Sequence, residues 1–298
     1  MSNSIALAAK FQPILDEIYQ REAITSFLDS QTKVIDGSAA NEVKVFKTSM
    51  VGLGNYSRNS GFPTGDVTGT WETIKLMAER GREFTIDAMD DEESIGMAFG
   101  TLASEFIRTK VAPEVDAYRF AKWAGASGIL TTTAASLTTA AAVLAAVDAA
   151  ANVLDENEVP IEGRVLFVSS TIGRLLDAAL SRSLANETTA NRKLQVLDDM
   201  RIVRVPQSRF YTQVTLDAGA TSSAGGFTKT ATTGADINFV LMHPSAVGQA
   251  KKHEKVKIFS PEVNQSSDGY LFQYRLYHDA WVYDNKVHGI YLHKKAAG

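Results

Sequence analysis

A long helical pattern that directly follows a glycine-rich hairpin pattern constrains the fold of this chain most strongly. Residues 90–123 begin with four consecutive carboxylates, which suit the positive N-terminal end of a helix. Apolar residues then recur at steps of three and four. At about 1.5 Å per residue this helix would be roughly 50 Å long, about the diameter of a globule of this size. The pattern predicts an elongated subunit, with a kink or a division after Ala112 because Pro113 follows.

Two strand-like segments, 42–50 and 70–87, precede this helix and flank a loop of turn-forming residues. The loop, 51–69, holds five glycines among Asn, Ser, Thr and Pro residues. An isolated hairpin is marginally stable in water, yet this one carries Phe62 and Trp71. Two interpretations stay open: neighbouring subunits complete the hairpin, or the hairpin folds onto its own domain.

Composition excludes several classes of protein. The chain has no cysteine, which rules out disulfides, thiolate metal sites and cysteine nucleophiles. Its net charge is −4 at pH 7, and the sequence lacks the basic stripe of a dedicated nucleic-acid binder. The most apolar stretch, 140–154, is alanine-rich, interrupted by Asp148 and too short to span a bilayer. Residues 1–10 lack the pattern of a secretion signal. We therefore expect no membrane association.

The remaining patterns predict an α+β architecture with two lobes. An amphipathic arm, 1–35, precedes the hairpin, and residues 270–293 have the pattern of an antiparallel meander. Between them we predict helices at 137–157, after a cap at Ser169 or Ser170, and from Pro244 onward; strands at 164–168, 201–205, 211–216 and 237–242; and a mobile loop at 217–236.

No motif in the sequence predicts a catalytic, cofactor-binding or metal site. The five histidines form no metal-binding pair, and we place His278 and Asp279 at a turn. Ser169 lies at a strand-to-helix turn without the glycines of a nucleophile elbow, which favours a capping role. A pair of carboxylates that meet only in space stays open, since sequence order does not reveal such pairs.

The order of the predicted elements is similar to that of a known family. An arm, a hairpin, a long helix, an α/β lobe and closing aromatic strands follow one another, and segments 197–206, 238–246 and 279–290 match in character. In these respects the chain resembles the major capsid proteins of tailed bacteriophages, which have the Hong Kong 97-like fold.

This resemblance implies a division of the chain into five parts. They are an N-terminal arm (1–35), an extended β-hairpin loop (36–88), a spine helix with the first part of a peripheral domain (89–130), an axial domain (131–250) and the closing strands of the peripheral domain (251–298).

The resemblance also implies a function. We expect a structural protein that assembles with itself, as hexamers and pentamers, into an icosahedral shell around double-stranded DNA, without reading the DNA sequence. Some members of that family carry a large N-terminal scaffolding domain that is cut away, and because the arm is too short for one we expect a separate scaffolding protein or prior processing. The likeness also implies a portal protein, assembly in the bacterial host cytoplasm and a final location in the virion capsid. We expect no enzymatic activity, no cofactor and no covalent cross-links between subunits. The alternatives are an encapsulin-like bacterial nanocompartment and, from another class, a carboxylate-dependent hydrolase.

The extended loop supplies the residues that we expect to contact neighbouring subunits. These candidates are Arg58, Phe62, Trp71, Glu72, Lys75, Arg80 and Arg82.

Overall fold

A computed structural model describes residues 23–31, 35–36, 42–87, 97–181, 195–219, 224–265 and 267–296. The patterns assigned to residues 1–22 and to the acidic residues 90–93 lie outside these ranges. The strands are β1 (Ile35–Asp36), β2 (Glu42–Met50), β3 (Val67–Lys75), β4 (Ala78–Asp87), β5 (Leu130–Thr131), β6 (Val165–Ser169), β7 (Val196–Leu197), β8 (Met200–Val205), β9 (Val214–Asp217), β10 (Gly226–Lys229), β11 (Ile237–Met242), β12 (Val247–Phe259), β13 (Gly269–Val282) and β14 (Ile290–Lys294). The α-helices are α1 (Met97–Phe106), α2 (Ala112–Ala124), α3 (Ala140–Glu156) and α4 (Ser170–Ser181).

The long helix continues through Pro113 instead of dividing after Ala112. Between α1 and α2 lies a π-helical turn, Ile107–Val111, and the Ala112 N–H donates to the Ile107 carbonyl five residues back. Pro113 then occupies the first turn of α2, where a missing N–H is tolerated. The wider π turn changes the backbone spacing ahead of the proline, which explains why the predicted break is absent.

The hairpin is shorter than the sequence predicts, because segment 70–87 contains two strands. β3 pairs with β2 in register from Glu42 opposite Lys75 to Met50 opposite Val67. β4 instead pairs with β13, in a different sheet. The chain changes sheets at Leu76 and Met77, where the Met77 N–H donates to an Asp279 carboxylate oxygen at 2.9 Å. The hairpin therefore consists of β2, β3 and the loop 51–66.

A six-stranded mixed sheet, here called the central sheet, has the order β5-β14-β11-β6-β8-β7. Helices α3 and α4 pack against it through a core that includes Val147, Leu154, Leu166 and Phe239. Ser169 caps α4, as predicted, since its Oγ accepts from the Ile172 N–H. Among the described residues no helix is both long enough and apolar enough to cross a bilayer.

A three-stranded sheet, here called the long-strand sheet, has the order β12-β13-β4. Its strands show that two predictions are wrong. The helix expected after Pro244 is one short 3-10 turn, Pro244–Ala246, because Val247 already begins β12. The prediction of a closing antiparallel meander is also wrong, because β13 pairs with β12 and β4 whereas β14 joins the central sheet. A 3-10 segment, Asp284–Gly289, carries the chain from one sheet to the other.

The loop expected at 217–236 also contains regular structure. β10 pairs antiparallel with β9, from Gly226 opposite Asp217 to Lys229 opposite Val214. This short pair of strands lies beside the long helix, since Arg80 on β4 contacts both of them and Glu114 on α2. The prediction of a mobile loop over this whole segment is therefore wrong, because β10 is paired with β9.

The two lobes meet at α2, which holds the described N-terminal segment in place with buried charges. Asp116 on α2 is fully buried and accepts hydrogen bonds from the Ile24 N–H, the Thr25 N–H and the Thr25 hydroxyl. Arg119, one turn later and also fully buried, donates to the Thr25 carbonyl and forms an ion pair with Asp29 at 2.8 Å. Residues 24–29 thus supply partners that two buried charges require.

Removing the Asp116 carboxylate tests this anchor. We expect Asp116→Ala to lower the free energy of unfolding by about 3–5 kcal/mol, because it leaves buried N–H donors without an acceptor. Urea denaturation followed by circular dichroism measures the change. Asp148→Ala, on the exposed side of α3, is the matched control and should change stability by less than about 0.5 kcal/mol. Equal effects of the two substitutions would contradict the anchor.

Candidate assembly interface

The register of the hairpin gives it two chemically different faces. Successive strand residues point to opposite sides, so residues paired across β2 and β3 share a face. Val43 opposite Ile74 and Val45 opposite Glu72 lie on one side, here called the anchored face. The other side, here called the apolar face, carries Phe46 opposite Trp71 and Met50 opposite Val67.

The anchored face is held by the body of the subunit at the base of the hairpin. Val43 and Val45 are buried in a small cluster with Leu76 and Trp281. Further along the same face, the Lys47 ammonium lies 2.5 Å from a Glu72 carboxylate oxygen and 2.6 Å from one of Asp284. Hydrogen bonds to these two carboxylates raise the pKa of Lys47, so the cation is favoured. This side of the hairpin finds its partners within the chain.

The side chains of the apolar face, in contrast, remain largely exposed. Phe46 and Trp71 are in contact, with ring centroids 4.9 Å apart, yet each is about half exposed, at 52% and 53%. Met50 and Val67 are about 70% exposed. Gly69 makes room for the Phe46 ring, because a Cβ there would lie 2.6 Å from its Cζ. The result is a stripe of exposed apolar side chains along one side of the hairpin, in which the Thr48–Gly69 pair lies between the two apolar pairs.

The tip of the hairpin carries further exposed apolar side chains. The rings of Tyr56 and Phe62 pack together with their centroids 4.9 Å apart. They flank a tight turn in which Ser57 and Gly61 exchange backbone hydrogen bonds. Phe62 is 85% exposed, and Leu53 is fully exposed. Of the twelve large hydrophobic side chains that are exposed in the described ranges, eight belong to the hairpin. Apolar exposure is thus concentrated on the hairpin, which is the signature of an interaction surface.

The structure separates the seven contact candidates into three groups. Arg58 and Phe62 lie exposed at the tip, and Trp71 lies on the apolar face. Glu72 is bound to Lys47 on the anchored face, and Lys75 is exposed at the base of the hairpin. Arg80 and Arg82 lie on β4, not on the hairpin, and are described next.

Both β4 arginines contact the strand pair β9–β10. The Arg80 guanidinium donates to the Glu114 carboxylate at 2.5 Å and to the carbonyls of Asp217 and Gly226. Arg82 donates to the Gly219 carbonyl at 3.2 Å. These bonds within the chain give Arg80 a role in holding β4, α2 and the β9–β10 pair together.

Sequence reasoning missed the apolar neighbours of Trp71. Phe46, Met50 and Val67 were not singled out, although the β2–β3 register places them on one face with Trp71. The register of β2 against β3 identifies them, and this register can be assigned only when the position of the turn between the strands is known.

A cavity of about 1000 Å³ lies between the long helix, β4 and the β9–β10 pair. Its two glutamates are engaged by arginines, Glu105 by Arg108 at 2.7 Å and Glu114 by Arg80 at 2.5 Å. Both glutamates therefore form ion pairs within the chain. Within the described ranges no cluster of three or more His, Asp or Glu side chains could hold a metal ion.

His278 and Asp279 lie within β13 and not at the predicted turn. Both are buried, and Asp279 accepts hydrogen bonds from the Tyr118 hydroxyl at 2.9 Å and from the Met77 N–H. Burial of the His278 side chain, with the nearby positive charges of Arg119, Lys251 and Arg80, lowers its pKa to about 3. This pair connects β13 to its neighbours and shows no geometry for proton transfer to a ligand.

Comparison with known proteins places this geometry in a structural context. No family model matches the sequence, and no curated protein matches it. The capsid of cyanophage P-SCSP1u superposes with a TM-score of 0.58 at 15% identity, covering 90% of this chain and 89% of that one. The chain has a bacteriophage capsid fold.

Two further structures show the extent of the likeness. The head structure of the Helicobacter pylori bacteriophage KHP40 gives a TM-score of 0.57 at 13% identity, covering 89% of this chain and 87% of that one. A virus-like particle from Pyrococcus furiosus gives 0.56 at 10% identity, covering 96% and 99%. The α+β capsid fold expected from the order of the elements is confirmed, and it extends over most of the chain.

The buried His278 predicts a dependence of stability on pH. Its folded pKa of about 3 lies below the ordinary 6.5, so the unfolded chain takes up a proton that the folded chain does not. Stability should therefore be highest above pH 6.5 and fall as the pH drops below it, by at most about 1.4 kcal/mol per pH unit from this one group.

The variant His278→Gln isolates this effect from the other histidines. We expect its unfolding free energy to fall less steeply between pH 6.5 and pH 4 than that of the parent chain, as measured by urea denaturation at each pH. Parallel pH profiles for the two proteins would show that His278 does not contribute to acid sensitivity.

Proposed function

We propose that this chain is a major capsid protein that assembles with itself into the icosahedral shell of a bacteriophage virion. The observation that carries the proposal is the apolar face of the hairpin, which the chain leaves uncovered on a capsid fold. Fully burying one large apolar side chain is worth about 1.5–3 kcal/mol. Phe46, Met50, Phe62 and Trp71 therefore offer a neighbouring copy a substantial gain, repeated at every contact of the shell.

The proposed arrangement follows the Hong Kong 97-like plan. The hairpin is the extended loop, α1, the π turn and α2 form the spine, and the long-strand sheet with the spine forms a peripheral domain. The central sheet with α3 and α4 forms the axial domain. In this division β14 belongs with the axial domain, because it pairs with β11 and β5. The hairpin of one copy lies on the next, a heterologous contact that closes into rings.

The mechanism is assembly and not catalysis. Subunits join as hexamers and pentamers through many weak contacts, with separate scaffolding and portal proteins guiding the shell in the host cytoplasm. The interior holds double-stranded DNA, and the net charge of −4 fits enclosure without a sequence-specific grip.

A nanocompartment shell is the second candidate, and one observation favours it. The Pyrococcus furiosus virus-like particle covers nearly the whole of both chains. A virion shell would be isolated from its native source with DNA and with portal or scaffolding proteins, whereas a nanocompartment would be isolated with an enclosed enzyme. Mass spectrometry and nucleic-acid content of native particles separate the two.

Electron microscopy of the purified chain tests assembly itself. We expect uniform closed shells or rings of subunits, together with fast-sedimenting material, because the apolar face gains most when copies cover it. Particles should form without added metal or cofactor. A chain that stays monomeric or dimeric at every accessible concentration would contradict the proposed function.

Substitutions on the hairpin test the surface that the proposal uses. We expect Phe62→Ser combined with Trp71→Ser to prevent particle formation while changing the free energy of unfolding of the single subunit by less than about 1.5 kcal/mol, since both side chains are largely exposed there. Analytical ultracentrifugation and urea denaturation give the two readouts. Ile161→Ser, at a 59% exposed residue outside the hairpin, is the control and should leave assembly unchanged.

A further inference from the structure

The long-strand sheet has one covered face and one open face. Phe272, Tyr274 and Leu276 of β13 pack on the long helix. The alternate residues of β13, Gln273 and Arg275, point to the other side, here called the open face. Cross-strand register places three residues in each row of this face. Two of the rows are Lys257–Gln273–Glu83 and Lys255–Arg275–Gly81.

The open face is electrically polarised from one edge strand to the other. Lys255 and Lys257, on β12, are exposed, and neither has an ion-pair partner within the described part of the chain. Glu79 and Glu83, on β4, are exposed at the opposite edge. The two edge strands lie about 10 Å apart, because three strands are spaced about 4.8 Å from one another. We name these edges the lysine rim and the glutamate rim.

The middle strand does not neutralise the lysine rim. Arg275 is paired with Glu79, and Gln273 donates to Glu83 at 2.5 Å, so both central side chains face the glutamate rim. Lys255 lies directly opposite Arg275, and like charges in that position are unfavourable within a sheet. Among its described residues, the sheet therefore supplies no anionic partner to the lysine rim.

We propose that the open face is a subunit interface in which the lysine rim of one copy lies against the glutamate rim of a second copy. The inference rests on the proposed function and identifies a second contact, separate from the hairpin. The same face carries three cations and three carboxylates among its described residues, counting Asp87 on β4, so the lysine rim of one copy is complementary in charge to the glutamate rim of the next. A polyanion such as DNA would be repelled by the glutamate rim. Contact between opposite rims is heterologous and repeats from copy to copy.

Charge reversal on each rim gives two variants that test the proposal. Lys255→Glu with Lys257→Glu makes both rims acidic, and Glu79→Lys with Glu83→Lys makes both rims basic. We expect each variant alone to need a protein concentration on the order of tenfold higher than the parent chain for assembly, as followed by light scattering and sedimentation. Circular dichroism and urea midpoints check that both variants fold.

Mixing the two variants gives the decisive result. An acidic rim of one variant can then meet a basic rim of the other, so the mixture should assemble at concentrations within about threefold of the parent chain. The control variant, Arg174→Glu with Lys286→Glu, changes the net charge by the same amount at exposed residues elsewhere. It should assemble at the same concentration as the parent chain, and mixing it with the basic variant should not restore assembly of that variant.

Three outcomes overturn the proposal. Folded rim variants that assemble like the parent chain show that the open face is not an interface. Folded variants that fail even when mixed show that the rims do not meet, and loss of binding to a 30-base-pair duplex by the acidic variant alone would then point to a polyanion. A parent chain that never assembles removes the proposed function, and this inference falls with it.

Discussion

The alternation of side chains along a paired strand is the constraint on which this structure depends. A hairpin with a fixed register has two faces, and here the chain supplies partners for only one of them. Val43, Val45 and Lys47 tie the anchored face to the body, whereas Phe46 and Trp71 remain about half exposed on the other side. A lone subunit gains little from holding such a stripe in water. Copies of the same chain would cover it, which connects the shape of the subunit to assembly.

The long helix contributes to the cores of both lobes. It runs from the long-strand sheet to the junction of the two lobes without a break, because a π turn accommodates Pro113. At the junction, Asp116 and Arg119 bind the segment that contains Thr25. These contacts tie the described N-terminal segment to the helix at the junction of the two lobes.

The spacing of apolar residues and the positions of glycine, proline and capping residues predicted much of this fold. The helix pattern, the hairpin and most strands of the central sheet, including Ile237–Met242, agree with the structure. Pairing partners were less accessible, because a strand pattern states which residues alternate and not which strand lies beside it. For this reason β4 was assigned to the hairpin and β14 to a meander, although long-range pairing places both in other sheets. The apolar face was only partly found, since Trp71 stood out by its size whereas Phe46 gains its meaning from the register.

Solvent accessibility of Trp71 before and after assembly tests the central claim most directly. Hydroxyl-radical footprinting read by mass spectrometry reports the oxidation of each side chain in isolated subunits and in assembled particles. We expect strong oxidation of Phe46, Phe62 and Trp71 in the isolated subunit and marked protection in the particle, with little change at Ile161. Equal oxidation of the three hairpin residues in both states would show that copies of the chain do not cover the apolar face.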